Sequence, residues 1–250
     1  MTVAGYLSRF GWTGGTAADA RTLRGLQVAH LEHVPFENLD IHLGRSIVLD
    51  EARFYAKVVG ERRGGFCYEL NGLFAWLLRE LGYRVSLLSA GVAHLEGGFG
   101  PEFDHLALRV DLEQPWLVDV GFGECFREPI PLAAGGDQEY RLTESEGVWI
   151  LSRAGAPQYR FTLARRELPD FAEMCRYHQT SPQSSFTRER ITTLARPDGR
   201  VTLSGLRLIR TTSETRTVEM IEANDYFQVL EREFGIVLPQ QQWRHPLAAS

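Results

Sequence analysis

The segment ERRGGFCYELNGLFAWLLRELGYR, residues 61–84, places Cys67 close behind two glycines and at the head of an apolar helical pattern. Leu70, Leu73, Phe74, Leu77, Leu78 and Leu81 recur at steps of three and four, the stripe of a helix with a buried face. Gly64 and Gly65 break the chain before it, and Gly82 supplies a stop that tolerates the left-handed conformation. Cys67 therefore falls in or just before the first turn, where unpaired backbone N–H groups and the positive end of the helix dipole gather. That setting favours thiolate over thiol and makes Cys67 a candidate nucleophile, with Arg62 and Arg63 adding positive charge nearby. The competing reading is a small core residue, the usual employment of an unpaired cysteine.

With 250 residues, 44% of them hydrophobic and 24% charged, the chain has a globular composition and the length to bury a substantial core. Its net charge of −5 argues against a nucleic-acid partner, which calls for a basic surface. The N-terminal MTVAGYLSRFGWTGG lacks the basic-then-apolar order of a signal peptide, and no apolar run is long enough to span a membrane. Cys67, Cys125 and Cys175 are odd in number and far apart, fitting neither a disulfide framework nor a C-x-x-C zinc site. We therefore expect a cytoplasmic protein without a metal, with Cys125 and Cys175 as plain core residues.

Three zones follow one another without a linker. Residues 1–85 read mostly helical, including Asp19 to His33 with Leu23, Leu26 and His30 on one side. Residues 86–185 read as strands and short turns, in VSLLSAGV, HLALRV, PWLVDVGF, GVWILSRA and QYRFTLARREL. Residues 186–250 combine a hairpin, GRVTLSGLRLIRT, with a helical IEANDYFQVLEREFG that stops at Gly235.

An activated cysteine needs a base, and the base needs an orienting group. DHLALRVDLEQPWLVDVGFG offers both. Alternation puts His105, Ala107 and Arg109 on one strand face, and Leu117 and Asp119 share a face of the next strand. A hairpin with Asp111, Leu112 and Glu113 as its loop pairs Val110 with Gln114, Ala107 with Leu117 and His105 with Asp119. Directly opposite residues project to the same side, within reach of a hydrogen bond. An aspartate inside the apolar WLVDVGF is costly without such a partner. His30 and His33 lack the H-E-x-x-H order of a zinc protease, and His42, His94 and His178 have no carboxylate at a telling position.

Taken together, HLEHVPFENLDIHLG, RRGGFCYELNGLFAWLLRELGY, DHLALRV, LVDVGFG and TSPQSSF resemble, in order and over nearly the whole chain, the bacterial arylamine N-acetyltransferases. The resemblance implies an α+β fold with an N-terminal helical bundle (1–85), a central β-barrel (86–185) and a C-terminal α/β lid (186–250). Its catalytic core would be arranged as in thiol proteases and transglutaminases. It implies Cys67 as the acetyl-accepting nucleophile, His105 as its base and Asp119 as the group that orients the imidazole. Phe36, Val92, Phe122 and Phe186 match apolar residues lining the family's cleft, and Gly121 and Gly123 would let the backbone approach acetyl-CoA. The implied reaction takes acetyl-CoA as cosubstrate, with no bound cofactor, and passes the acetyl group to an arylamine or hydrazine.

Two positions depart from the family pattern. Asp104 stands where threonine is common, which bears on acceptor preference, and Phe66 and Tyr68 reverse the commoner aromatic order around the cysteine. Three other readings use the same residues. One is an amide synthase that moves an acyl chain from a carrier protein to an arylamine. Another is a thiol hydrolase or transglutaminase, and the last is a non-catalytic binding module.

Overall fold

The computed structural model describes residues 1–124, 126–137 and 139–239, so Cys125 lies outside the described residues. The N-terminal part holds helices α1 (Val3–Arg9), α2 (Ala20–His33), α3 (Leu39–Leu43), α4 (Glu51–Tyr55) and α5 (Cys67–Glu80), with a short strand β1 (Phe36–Glu37) between α2 and α3. Local chemistry sets these limits. Asp19 caps α2, its carboxylate accepting from the Thr22 N–H at 2.7 Å. At the head of α5 the Glu69 carboxylate accepts the Phe66 N–H at 3.1 Å, and Gly82 follows the helix at φ +89°. Beyond α4 the chain makes a π-helical turn, Ala56–Gly60, that buries Lys57 and Val58.

Strands β2 (Arg84–Val92), β3 (His105–Asp111), β4 (Pro115–Val118), β5 (Ile130–Pro131), β6 (Gly135–Gly136), β7 (Tyr140–Ser145), β8 (Val148–Arg153) and β9 (Ala156–Thr162) form one antiparallel sheet. Its order, β5-β4-β3-β2-β9-β8-β7-β6, curls into a nearly closed barrel. Helices α6 (Ala172–Thr180) and α7 (Ser185–Arg188) lead to a second sheet of β10 (Ile191–Arg196), β11 (Gly199–Ser204), β12 (Arg207–Thr212) and β13 (Arg216–Met220), followed by α8 (Tyr226–Phe234). Strand β1 pairs with β10, so the second sheet begins with residues from the helical part of the chain.

Both faces of β2 and β3 are buried. Val85, Leu87, Leu106, Leu108 and Val110 pack with the helices around α5, while Leu88, Ala90 and Ala107 face the barrel core with Leu117, Tyr159 and Phe161. Because the helical core and the barrel core share these strands, the head of α5 and the face carrying His105 are held in fixed relation.

Two expectations need correction. The strand reading does not hold over 171–185, where Phe171, Cys175 and His178 supply a helical period with buried positions at steps of four and three. The β3–β4 hairpin is offset by two residues from the expected register. Asp111 pairs with Pro115, Val110 with Trp116 and Arg109 with Leu117. The loop is therefore Leu112 to Gln114, and Pro115 falls at the first strand position, where its missing N–H costs least. A shift of two preserves which face each side chain takes. Asp119 lies just beyond the end of β4 and reaches His105 diagonally, not from directly opposite.

Candidate active site

His105 and Asp119 are 2% and 1% exposed, and His105 Nε2 lies 2.7 Å from Asp119 Oδ2. The other carboxylate oxygen, Oδ1, accepts from Asn71 Nδ2 at 2.8 Å and from the Gly121 N–H at 2.9 Å. An ionised carboxylate only accepts, so Nε2 carries a proton and Nδ1 is the ring nitrogen left for chemistry. Edge contacts from Phe122 (5.1 Å) and a tilted Tyr159 (5.2 Å) enclose the imidazole.

Cys67 is the first residue of α5 and, with His105, lines a cleft of about 640 Å³. Phe36, Val92, Gly121, Phe122, Gly123 and Phe186 all line the same cleft, while Asp119 stands behind His105. Gly121 has a steric reason to be glycine: a Cβ there would lie 2.8 Å from Cys67 Cα and 2.7 Å from Asn71 Nδ2. Gly123 has φ +83°.

The thiol is not ionised by the helix end alone. Burial pushes the Cys67 thiol well above its ordinary range, the Leu106 backbone N–H opposes this, and the charges of Asp119 and Asp104 push it further up. A nucleophilic thiolate here must hand its proton to a neighbouring base.

Several residues absent from the sequence reading complete the site. Asn71, one turn after Cys67, donates to Leu106 O at 2.6 Å as well as to Asp119, and its Oδ1 accepts the Val120 N–H at 2.9 Å. One amide thus ties α5 to β3 and to the segment after β4. Its signal was a fully buried amide inside the apolar stripe. Gln27 on α2 reaches the Asp119 N–H at 3.4 Å. Asn38 donates to Phe186 O (3.0 Å) and Glu189 O (2.8 Å) and accepts the Ile191 N–H (2.8 Å), which fixes α7 and its Phe186 against the cleft.

Beneath the head of α5 lies a buried group of charges. Arg63, read from the sequence as a positive charge near the thiol, is fully buried and contacts Glu37 Oε1 (2.7 Å) and Asp40 Oδ1 (3.1 Å). Lys57, turned inward by the π-helical turn, meets Asp40 Oδ2 at 2.8 Å and Glu69 Oε1 at 2.9 Å. Lys57 and Arg63 are shared among the three carboxylates, and the more exposed Arg45 adds a third cation 3.8 Å from Asp40 Oδ1. Burial pushes Glu69 up to about 7, with Lys57 pulling down and Glu37 and Asp40 pushing up. Asp40 ends below its ordinary range: burial pushes it up, but Lys57, Arg63 and Arg45 together outweigh that.

His178, given no carboxylate by the sequence reading, has one in the fold: its Nε2 is 3.1 Å from Asp104 Oδ1. Its Nδ1 is 3.2 Å from Ser184 Oγ, and all three residues line the cleft. Among the described residues no group of three or more His, Cys, Asp or Glu side chains is arranged to hold a metal ion, and no helix is long and apolar enough to cross a membrane.

The family model for N-acetyltransferase matches residues 19–243 of this chain. The chain is 33% identical over 278 residues to the Gallus gallus arylamine N-acetyltransferase, pineal gland isozyme NAT-10, with 96% of each chain covered. It superposes on the arylamine N-acetyltransferase of Salmonella typhimurium with a TM-score of 0.94, at 30% identity and with 100% of both chains covered. Against the Mycobacterium marinum arylamine N-acetyltransferase in complex with CoA, the TM-score is 0.91 at 29% identity, with 98% of each chain covered.

Proposed function

The chain belongs to the arylamine N-acetyltransferase family, and from that premise we propose that it carries acetyl groups from acetyl-CoA to arylamines or hydrazines by way of Cys67. The observation that carries this reading is the His105–Asp119 contact through Nε2, beside a cleft that also holds the Cys67 thiol.

In the proposed cycle His105 Nδ1 takes the thiol proton, and Asp119 stabilises the imidazolium that forms. This compensates for the burial that otherwise keeps Cys67 protonated. The thiolate sulfur attacks the thioester carbonyl, forming a C–S bond, and the tetrahedral intermediate collapses with loss of the CoA thiolate, which takes the proton back from His105. An amine then attacks the acetyl-cysteine and His105 removes its proton. The Cys67–carbonyl bond breaks, and the returning proton regenerates the thiol. In this reading backbone N–H groups at the start of α5, that of Cys67 among them, hold the developing oxyanion. Phe36, Val92, Phe122 and Phe186 form the apolar walls, and Gly121 and Gly123 admit the thioester arm. The division into a helical bundle (1–85), barrel (86–185) and lid (186–250), and a cytoplasmic setting, belong to the same proposal.

CoA must leave before the amine attacks, so donor and acceptor use one cleft in turn. Initial rates at several fixed acceptor concentrations are expected to give parallel double-reciprocal lines. Acetyl-CoA alone, followed by rapid acid quenching and peptide mass spectrometry, is expected to leave one acetyl group on Cys67. Intersecting lines with no trapped adduct would remove Cys67 from the chemistry. Continued turnover of acetyl-CoA without amine, beyond the one equivalent of CoA released on loading Cys67, would point to hydrolysis instead.

A further inference from the structure

We propose that Asp104, held in the cleft wall by the Val92 N–H, selects acceptors by charge: it favours amines bearing a cationic or additional N–H donor group and disfavours those bearing a carboxylate. The inference rests on the acetyl-transfer reading and names the acceptor class of the same cleft.

Asp104 immediately precedes β3, and its carboxylate forms part of the cleft wall that also contains Cys67 and His105. The backbone is shaped around that carboxylate. The Val92 N–H donates to Oδ2 at 3.3 Å, and a Cβ on Gly100 would come within 2.5 Å of the same oxygen. Tyr68, on α5 next to Cys67, donates its hydroxyl to Phe103 O at 2.6 Å and Asp104 O at 3.3 Å, anchoring the segment to the helix.

The other oxygen, Oδ1, faces His178 Nε2 at 3.1 Å, but the ring N–H is off the line of a hydrogen bond. Ser184 Oγ accepts the Phe186 N–H at 3.2 Å, which leaves its hydroxyl proton for His178 Nδ1. His178 Nδ1 is thus engaged by Ser184, and the Asp104 side chain stays 15% exposed toward the cleft. Two oxygens offer about four acceptor directions, and the protein uses no more than two of them. The remaining capacity faces a cleft whose lining includes one arginine, Arg188, the histidines His94, His105 and His178, and a largely apolar surface. The charge of Asp104 is felt at the Cys67 sulfur, so it also acts on an acceptor positioned to attack there.

The test compares two anilines of opposite charge, each insulated from the ring by a methylene: para-aminobenzyl-trimethylammonium and para-aminophenylacetate. Both compete for enzyme preloaded from acetyl-CoA, and the ratio of their kcat/KM values is the readout. Taking the ratio within one acetyl-enzyme cancels differences in the donor step and in the amount of folded protein. Asp104→Asn is expected to lower the cation-over-anion ratio about tenfold, as expected for removing one charge from a partly shielded site. Asp104→Ser, which is smaller and also neutral, is expected to shift it the same way. A ratio unchanged within twofold in both variants overturns the inference and leaves acetyl transfer standing. If the wild-type chain acetylates neither these anilines nor aniline itself, the acetyl-transfer reading fails, and the charge selection with it.

Discussion

Replacing Asp119 with asparagine preserves the side-chain shape and reverses the hydrogen-bond logic of His105. The direction of the reversal is fixed by the surroundings. Two N–H donors, from Asn71 and Gly121, converge on Oδ1, so the amide oxygen of the variant must take that position. The amide nitrogen then points at His105 Nε2, 2.7 Å away, and donates to it. Nε2 becomes the acceptor, the ring proton moves to Nδ1, and the nitrogen meant to deprotonate Cys67 becomes a donor. The imidazolium also loses its counterion. In serine-protease triads the corresponding change costs about 10⁴ in kcat, or roughly 5.5 kcal/mol of transition-state stabilisation. We expect a similar loss in the rate at which acetyl-CoA alone acetylates Cys67, followed by quenched-flow mass spectrometry. Every buried partner keeps a hydrogen bond, so the thermal midpoint is expected to move by only a few degrees. A folded Asp119→Asn protein that acetylates Cys67 within tenfold of the wild-type rate would refute both the tautomer argument and the role of Asp119.

Cys67→Ala is expected to abolish transfer and leave the fold intact; Cys175, buried on α6 with Gln179 Nε2 3.2 Å from its sulfur, should tolerate alanine with full transfer chemistry. Transfer assays on both variants decide this, and activity in Cys67→Ala rejects the mechanism. Asn71→Leu strands Leu106 O and the Val120 N–H, so at ~1–3 kcal/mol per unsatisfied buried group it should lose about 2–6 kcal/mol. For a chain of this size that is on the order of 5–20 °C in thermal midpoint, and a shift under 3 °C would contradict it. Glu69 has its folded pKa raised from 4.5 to about 7, so its share of stability is present below about pH 4.5 and is lost as pH rises to about 7. Denaturant unfolding between pH 5 and 8 is expected to show a fall on the order of 3 kcal/mol from this group. In Glu69→Gln that fall should be much smaller, and an equal slope in both proteins would count against the assignment.

Structure that depends on near neighbours was legible in the chain. The limits of α2 and α5, the place of Cys67 at a helix head and the shared face of His105 and Asp119 follow from periodicity, capping and turn residues within a few positions. The strand period is two, which fixes the face a side chain takes but not its partner. The β3–β4 register therefore remained open by a two-residue step, and only the folded hairpin, with Pro115 at its closing pair, chose between them. The family resemblance supplied the barrel, the lid and the cleft residues, which composition and spacing alone did not. What only tertiary structure decided is the set of polar contacts between distant segments. These are Asn71 with Asp119, Arg63 and Lys57 with Glu37 and Asp40, Asn38 with α7, and His178 with Asp104. Each is a buried polar group whose burial is tolerable because another segment satisfies it, and no local pattern in a chain records which distant segment that will be.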